Sequence, residues 1–164
     1  MWRRQVILMH INDVALRHLS SRSRTVREMK QHLADKGFPE EEISALIEDF
    51  CVYGYLDDEQ YCRAYFRYAF GKGKGCKKVF AELGEKGVDS QLIRCVYEDF
   101  SQEEEDLCDE KARARAEAQK VLRLADISAE EAVPEKIRGR IARKLQRKGY
   151  GSQTIYTILG ELQK

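Results

Sequence analysis

One short signature occurs three times in this 164-residue chain, and its internal spacing never slips. Leu33-x-x-Lys36-Gly37-Phe38 is followed five residues later by Ile43, Leu83-x-x-Lys86-Gly87-Val88 by Ile93, and Leu145-x-x-Lys148-Gly149-Tyr150 by Ile155. The copies stand 50 and 62 residues apart. A unit of about 50 residues buries only part of its own apolar face, so copies of it must stack. The repeat therefore constrains the fold before any motif search begins.

Helical periodicity fills each unit, and strand-like alternation is absent. The third helix is the clearest. Ile43, Leu46, Ile47 and Phe50 recur at i, i+3, i+4 and i+7, as do Ile93, Val96, Tyr97 and Phe100, and Ile155, Ile158, Leu159 and Leu162. Each set makes one apolar stripe. Second helices are matched by Met29/Leu33, Val79/Leu83 and Ile141/Leu145, and end where Gly37, Gly87 and Gly149 can turn left-handed. Lys36, Lys86 and Lys148 fall in the last turn, where the helix dipole favours a cation, so they are assigned to structure. First helices match Ile11, Ala15 and Leu19 with Tyr61, Tyr65 and Ala69. Tyr61 and Tyr65 are expected in the core.

The expected fold is all-α, an elongated curved array of three tandem three-helix repeats at 1–53, 54–101 and 102–164. Nine helices are expected, at about 8–20, 24–36, 40–53, 58–71, 75–86, 90–101, 103–124, 135–148 and 152–163. The third unit has a longer first helix and a connector around Asp126 to Pro134. Asp57 or Asp58 reads as the cap of the fourth helix, with Glu59 in its first turn.

With 43% apolar and 35% charged residues, the chain is too apolar for disorder and too polar for a membrane span. No apolar run approaches the ~20 residues a spanning helix needs. Val6 to Met9 is too short for a secretion signal, so a cytoplasmic location is expected; separately, the chain is expected to be a monomer. The five cysteines form no Cys-x-x-Cys pair and read as reduced, buried or half-buried thiols. His10, His18 and His32 lack metal-site spacing. No catalytic set, cofactor site or metal site is expected.

A net charge of +1 conceals segregation. Arg63, Arg67, Lys72, Lys74, Lys77 and Lys78 lie between Gln60 and Ala81 without an acid. Residues 136–148 carry Lys136, Arg138, Arg140, Arg143, Lys144, Arg147 and Lys148, again without one. The first 27 residues set Arg3, Arg4, Arg17, Arg22, Arg24 and Arg27 against Asp13 alone. Eight carboxylates crowd Glu98 to Glu110. Such runs are either solvated helix faces or a basic surface that tracks phosphates or an acidic protein groove. Gly71, Gly73 and Gly75 among lysines read as a turn between helices, because no strand precedes them and no Lys-Ser/Thr completes a phosphate loop.

Gly54-Tyr55-Leu56-Asp57-Asp58-x-x-Tyr61, followed by Gly75-x-x-x-Val79-x-x-Glu82-Leu83-x-x-Lys86-Gly87-Val88, resembles the RecX family of recombination regulators. Gln60 stands where that family usually carries a basic residue, Tyr61 where it has Phe, and Cys62 where it has Ala. The resemblance covers most of the chain, least clearly 101–134. It implies a non-catalytic protein of three helical repeats that binds the RecA recombinase in its filament on DNA. Such proteins modulate, mostly by inhibition, its ATPase, strand-exchange and coprotease activities. On that basis Arg63, Arg67, Lys72, Lys74, Lys77, Lys78, Arg140, Arg143, Lys144 and Arg147 are expected to contact the partner, with accessory phosphate contacts. The alternative is direct DNA binding through the basic helices, which offer mostly Lys and Arg and so suit phosphates better than base edges.

Overall fold

A computed structural model describes residues 2–127 and 132–162, with side chains from residue 10 onward. The helices are α1 (Trp2–Ser21), α2 (Val26–Asp35), α3 (Glu40–Val52), α4 (Asp58–Gly71) and α5 (Cys76–Glu85). They continue as α6 (Ser90–Glu103), α7 (Glu105–Cys108), α8 (Glu110–Leu124), α9 (Glu135–Lys148) and α10 (Ser152–Glu161). No strand occurs among the described residues. The side chains of Arg3 and Arg4 and residues 128–131 of the expected connector lie outside the description.

Ten helices replace the expected nine because 103–124 is broken. The run Glu103 to Asp106 sets four carboxylates side by side, and like charges three or four apart weaken a helix. Asp109 then restarts the chain, its side chain accepting from the Ala112 N–H at 2.9 Å. At the other end α1 begins near Trp2, six residues before the expected start at about 8.

Packing divides the chain into two compact units, Met1–Cys62 with Leu83–Arg94 and Arg63–Glu82 with Cys95–Lys164. Helices α4, α5 and α6 contribute residues to both. In the first unit, Ile11 and Ala15 of α1 join Met29 and Leu33 of α2 and the α3 stripe Ile43, Leu46, Ile47 and Phe50. Each fully buried side chain of this size contributes about 1.5–3 kcal/mol. Helix α2 starts with a capping box: Thr25 accepts from Glu28 N at 3.1 Å and Glu28 accepts from Thr25 N at 3.2 Å.

The second unit has two cores. Phe66 is ringed by Phe70, Phe80, Tyr97 and Phe100 at centroid distances of 5.7, 6.0, 5.6 and 5.3 Å. Ala114, Ala118, Val121, Ile141, Leu145, Tyr150 and Ile158 form the other. Tyr61 and Tyr65 are half-buried, contrary to expectation; Cys62, Phe66, Ala69 and Phe70 take the core face of α4 instead. The Tyr65 hydroxyl donates to Glu82 at 2.7 Å, a bond it could not make from inside the aromatic cluster.

The repeated signature is a repeated helix ending. Gly37, Gly87 and Gly149 adopt φ of +84°, +87° and +84°. In each, the residue after the glycine donates its N–H to the carbonyl of the leucine five before it: Phe38 to Leu33 at 3.2 Å, Val88 to Leu83 at 3.1 Å and Tyr150 to Leu145 at 3.1 Å. The leucine is a helix-burying residue and the acceptor at once, which is why the spacing does not slip.

Candidate functional site

Two of the three helix endings are covered by the start of another second helix, in the same way in each unit. In the first unit, Thr25 donates its hydroxyl to the Lys86 carbonyl at 2.6 Å, and the Val26 N–H donates to Asp58 at 2.9 Å. In the second, the Gly75 N–H donates to the Lys148 carbonyl at 2.8 Å, and the Cys76 N–H donates to Glu110 at 3.1 Å. The carboxylate comes each time from the start of a first helix and occupies a helix N-terminus, where negative charge is favoured. A side chain on Gly75 would lie 2.6 Å from Tyr150 N, and one on Gly149 2.7 Å from Lys78 N. The Gly71–Gly75 segment is thus a turn, as expected; Gly75 and Cys76 spend their N–H groups inside the protein.

Asp57 caps α4 by accepting from Gln60 N at 2.9 Å, while Asp58 reaches α2. Burial pushes the Asp58 carboxyl up, against the pull of the Val26 hydrogen bond. Glu28 goes the other way: burial raises it, but hydrogen bonds from Arg22 and the Thr25 backbone outweigh that and hold it below the usual carboxylate value.

The ten basic residues singled out by sequence separate into two groups. Arg63 meets Glu103 at 2.7 Å, Arg67 meets Glu104 at 3.1 Å, and Lys74 meets Glu82 at 2.7 Å. Lys144 lies 3.2 Å from Glu117, a carboxylate only 2% exposed that also holds Lys120 and Lys148 at 2.5 and 3.1 Å. Burial raises the Glu117 carboxyl and the three lysines pull it lower than they lose. Lys72, Lys77, Lys78, Arg140, Arg143 and Arg147 make no ion pair among the described residues.

All of these but Lys72, which follows α4, lie on α5 and α9, and the Lys78 ammonium donates to the Arg147 carbonyl at 3.2 Å. Lys77, Lys78 and Arg147 rim a groove of about 570 Å³ in the second unit, and no carboxylate lines it. Its apolar lining is Ala81, Ala142, Tyr150, Ile155, Tyr156 and Leu159. Gly149 and Gly151, lacking side chains, leave the space open, and Tyr156 stands 75% exposed at it. Beside it, Arg140, Arg143, Gln146 and Arg147 line a shallower depression of about 280 Å³. Sequence reasoning missed the apolar lining; the one available signal was Tyr156, an aromatic on the polar face of α10 next to Ile155.

At the matching place in the first unit a hollow of about 360 Å³ is lined by Arg27, Glu28, Gln31, His32, Asp35, Glu85 and Lys86. Position for position, Arg27 and Glu28 correspond to Lys77 and Lys78, and Glu85 to Arg147. The same architecture is mixed in charge and polar there, so the basic and apolar groove is not a consequence of the fold alone.

Among the described residues no group of His, Cys, Asp and Glu is arranged to hold a metal ion, and no helix is long and apolar enough to cross a membrane. All five thiols are free. Cys51 and Cys95 are exposed, correcting the expectation of burial, whereas Cys62 is buried and its thiol is pushed up to about 12. Its causes are desolvation first, then Asp58 and Glu59. A thiol held that high is a packing group.

The first three-helix domain of RecX matches residues 13–50, and its second three-helix domain matches residues 57–96. A regulatory protein RecX from Mycobacterium sp. (strain JLS) is 31% identical over 148 residues, covering 88% of this chain and 76% of the relative. Its counterpart from Bacillus licheniformis is 31% identical over 90% of this chain, which spans 53% of that relative's length. The crystal structure of RecX from Lactobacillus salivarius superposes with a TM-score of 0.75 at 25% identity, covering 94% of this chain and 96% of that one. With tandem three-helix domains, the family's motifs and these relatives in hand, the chain belongs to the RecX family of regulatory proteins.

Proposed function

We propose that this protein binds a RecA-type recombinase in its nucleoprotein filament and restrains ATP hydrolysis, strand exchange and coprotease activity, in recombination, DNA repair and the SOS response. It acts as a cytoplasmic monomer without catalysis or cofactor. Family membership supports the regulatory part of this reading. The observation that carries the rest is the run of unpaired cations Lys77, Lys78, Arg140, Arg143 and Arg147 along α5 and α9. A filament presents repeating protein surface beside DNA phosphates, which such a run suits. Arg63, Arg67, Lys74 and Lys144 serve mainly to fix helices through their carboxylate partners, and Lys72 extends the free set.

The test is the recombinase's DNA-stimulated ATPase with this protein added below one per recombinase subunit. A fall in rate is expected; an unchanged rate together with no association with filaments overturns the proposal. Direct DNA binding is the second reading, favoured by Arg140, Arg143 and Arg147 on one helix. Titration of naked DNA across salt separates the two, because purely phosphate-directed affinity collapses as salt rises and ignores sequence.

A further inference from the structure

We propose that the groove between α5, α9 and α10 seats an acidic peptide segment carrying an apolar anchor, presented by the protein partner rather than by DNA. This rests on the reading that the chain binds a protein assembly, and it names the chemistry of that contact. Three observations support it. The charged residues of the groove are all cationic, Lys77, Lys78 and Arg147, with no carboxylate. Behind the rim the lining is mostly aliphatic: Ala142, Ile155 and Leu159 are half-buried and Ala81 is exposed, beside the buried ring of Tyr150. A groove that holds bare nucleic-acid strands uses a succession of aromatic platforms for successive bases. Here the one strongly exposed ring is Tyr156. Aliphatic lining with a cationic rim instead matches a side chain such as leucine flanked by glutamates, the apolar group excluding water while the charges set orientation.

The first unit supplies the contrast. Its equivalent hollow sets Glu28, Asp35 and Glu85 against Arg27 and Lys86, so it lacks the carboxylate-free rim that would favour the same segment. Charge is reversed at two matched positions, Glu28 against Lys78 and Glu85 against Arg147, and such a reversal at part of a repeated site favours one register of a ligand over the other.

Fluorescence anisotropy of a short labelled peptide of glutamates and leucines, with the full chain and no recombinase, tests the groove. Wild type is expected to bind it. Lys77→Glu, Ala81→Glu and Tyr156→Ala are each expected to weaken binding on the order of tenfold, as buried interface charge and anchor changes do. All three positions are exposed, so these variants should keep the wild-type melting curve. Lys111→Glu, the same charge change on α8 away from the groove, should bind as wild type does. Equal affinity for a peptide with every leucine replaced by glutamine overturns the proposal, as does wild-type affinity in Lys77→Glu. So does an oligothymidylate that binds more tightly through the same three residues. If the peptide fails to bind while the protein still associates with filaments, the groove is wrong and the function stands. Failure of the protein to touch filaments at all defeats the function first.

Discussion

The two helix junctions share a backbone and differ in where their charges go. Around Lys86–Gly87 the side chains close on one another: Arg22 binds Glu28 at 2.9 Å, and Lys86 stands 3.9 Å from the same carboxylate. Around Lys148–Gly149 the carboxylate that satisfies the lysine is Glu117, on α8, and the opposite side of the turn is left to Lys77, Lys78 and Arg147. One junction uses its ions to hold itself together. The other moves its ion pairs to a buried carboxylate, ties Lys78 only to the Arg147 carbonyl at 3.2 Å, and so leaves the charges of Lys77, Lys78 and Arg147 without an anionic partner among the described residues. A repeat thus supplies the same scaffold twice, and substitution of a few side chains gives only one copy an outward chemistry.

The largest effect should come from blocking a covered helix ending and comparing it with the open one. Gly149→Ala places a side chain at φ +84° and against the Lys78 backbone, which should cost about 3 kcal/mol or more. Gly37→Ala meets the same dihedral with nothing within 4 Å and should cost about 1 kcal/mol. Urea midpoints of the two variants measure the difference. Equal losses would mean that the second-unit junction carries no packing of its own.

Glu117→Gln comes next. It leaves three lysines around a buried neutral amide, and a loss of about 2–3 kcal/mol is expected after allowing for their partial exposure. The sign with pH is fixed by the direction of the shift. A carboxyl held below its ordinary 4.5 stabilises the fold above that value and loses its contribution as pH falls through the lowered one. Wild type and Glu117→Gln should therefore converge in stability under acid. A gap that persists well below pH 4.5 would contradict the ion-pair assignment.

The smallest effect belongs to the first junction. Asp58→Ala removes the acceptor of the Val26 N–H and should cost about 1 kcal/mol, whereas Asp58→Asn keeps an acceptor oxygen and removes a charge that burial disfavours. Thermal melts should rank wild type and Asp58→Asn close together, with Asp58→Ala below. Loss in the asparagine variant equal to that in alanine would show that the charge itself holds α2.

Local rules made the helices legible. The i, i+3, i+4, i+7 stripes and the Lys-Gly endings depend on neighbours in sequence, and Ile43, Leu46, Ile47 and Phe50 are all buried as their spacing requires. The break near Asp109 and the half-buried state of Tyr65 are not legible in sequence because each depends on a competing partner, a restarted cap in one case and Glu82 in the other. For the site, the basic residues were visible as an acid-free run, yet sequence distance hid their partners: Arg63 and Glu103 are far apart in the chain and 2.7 Å apart in space. Which cations remain unpaired, and the aliphatic groove they border, follow only from the fold.

Co-sedimentation with recombinase filaments on single-stranded DNA, comparing wild type with the double charge reversal Lys77→Glu and Arg147→Glu, bears most directly on the proposed role of the second junction. Wild type is expected in the pellet, and the double variant, folded as judged by its melt, is expected to need on the order of tenfold more protein to reach the same level. Pelleting of the double variant at wild-type concentrations would contradict the assignment of these cations to the partner.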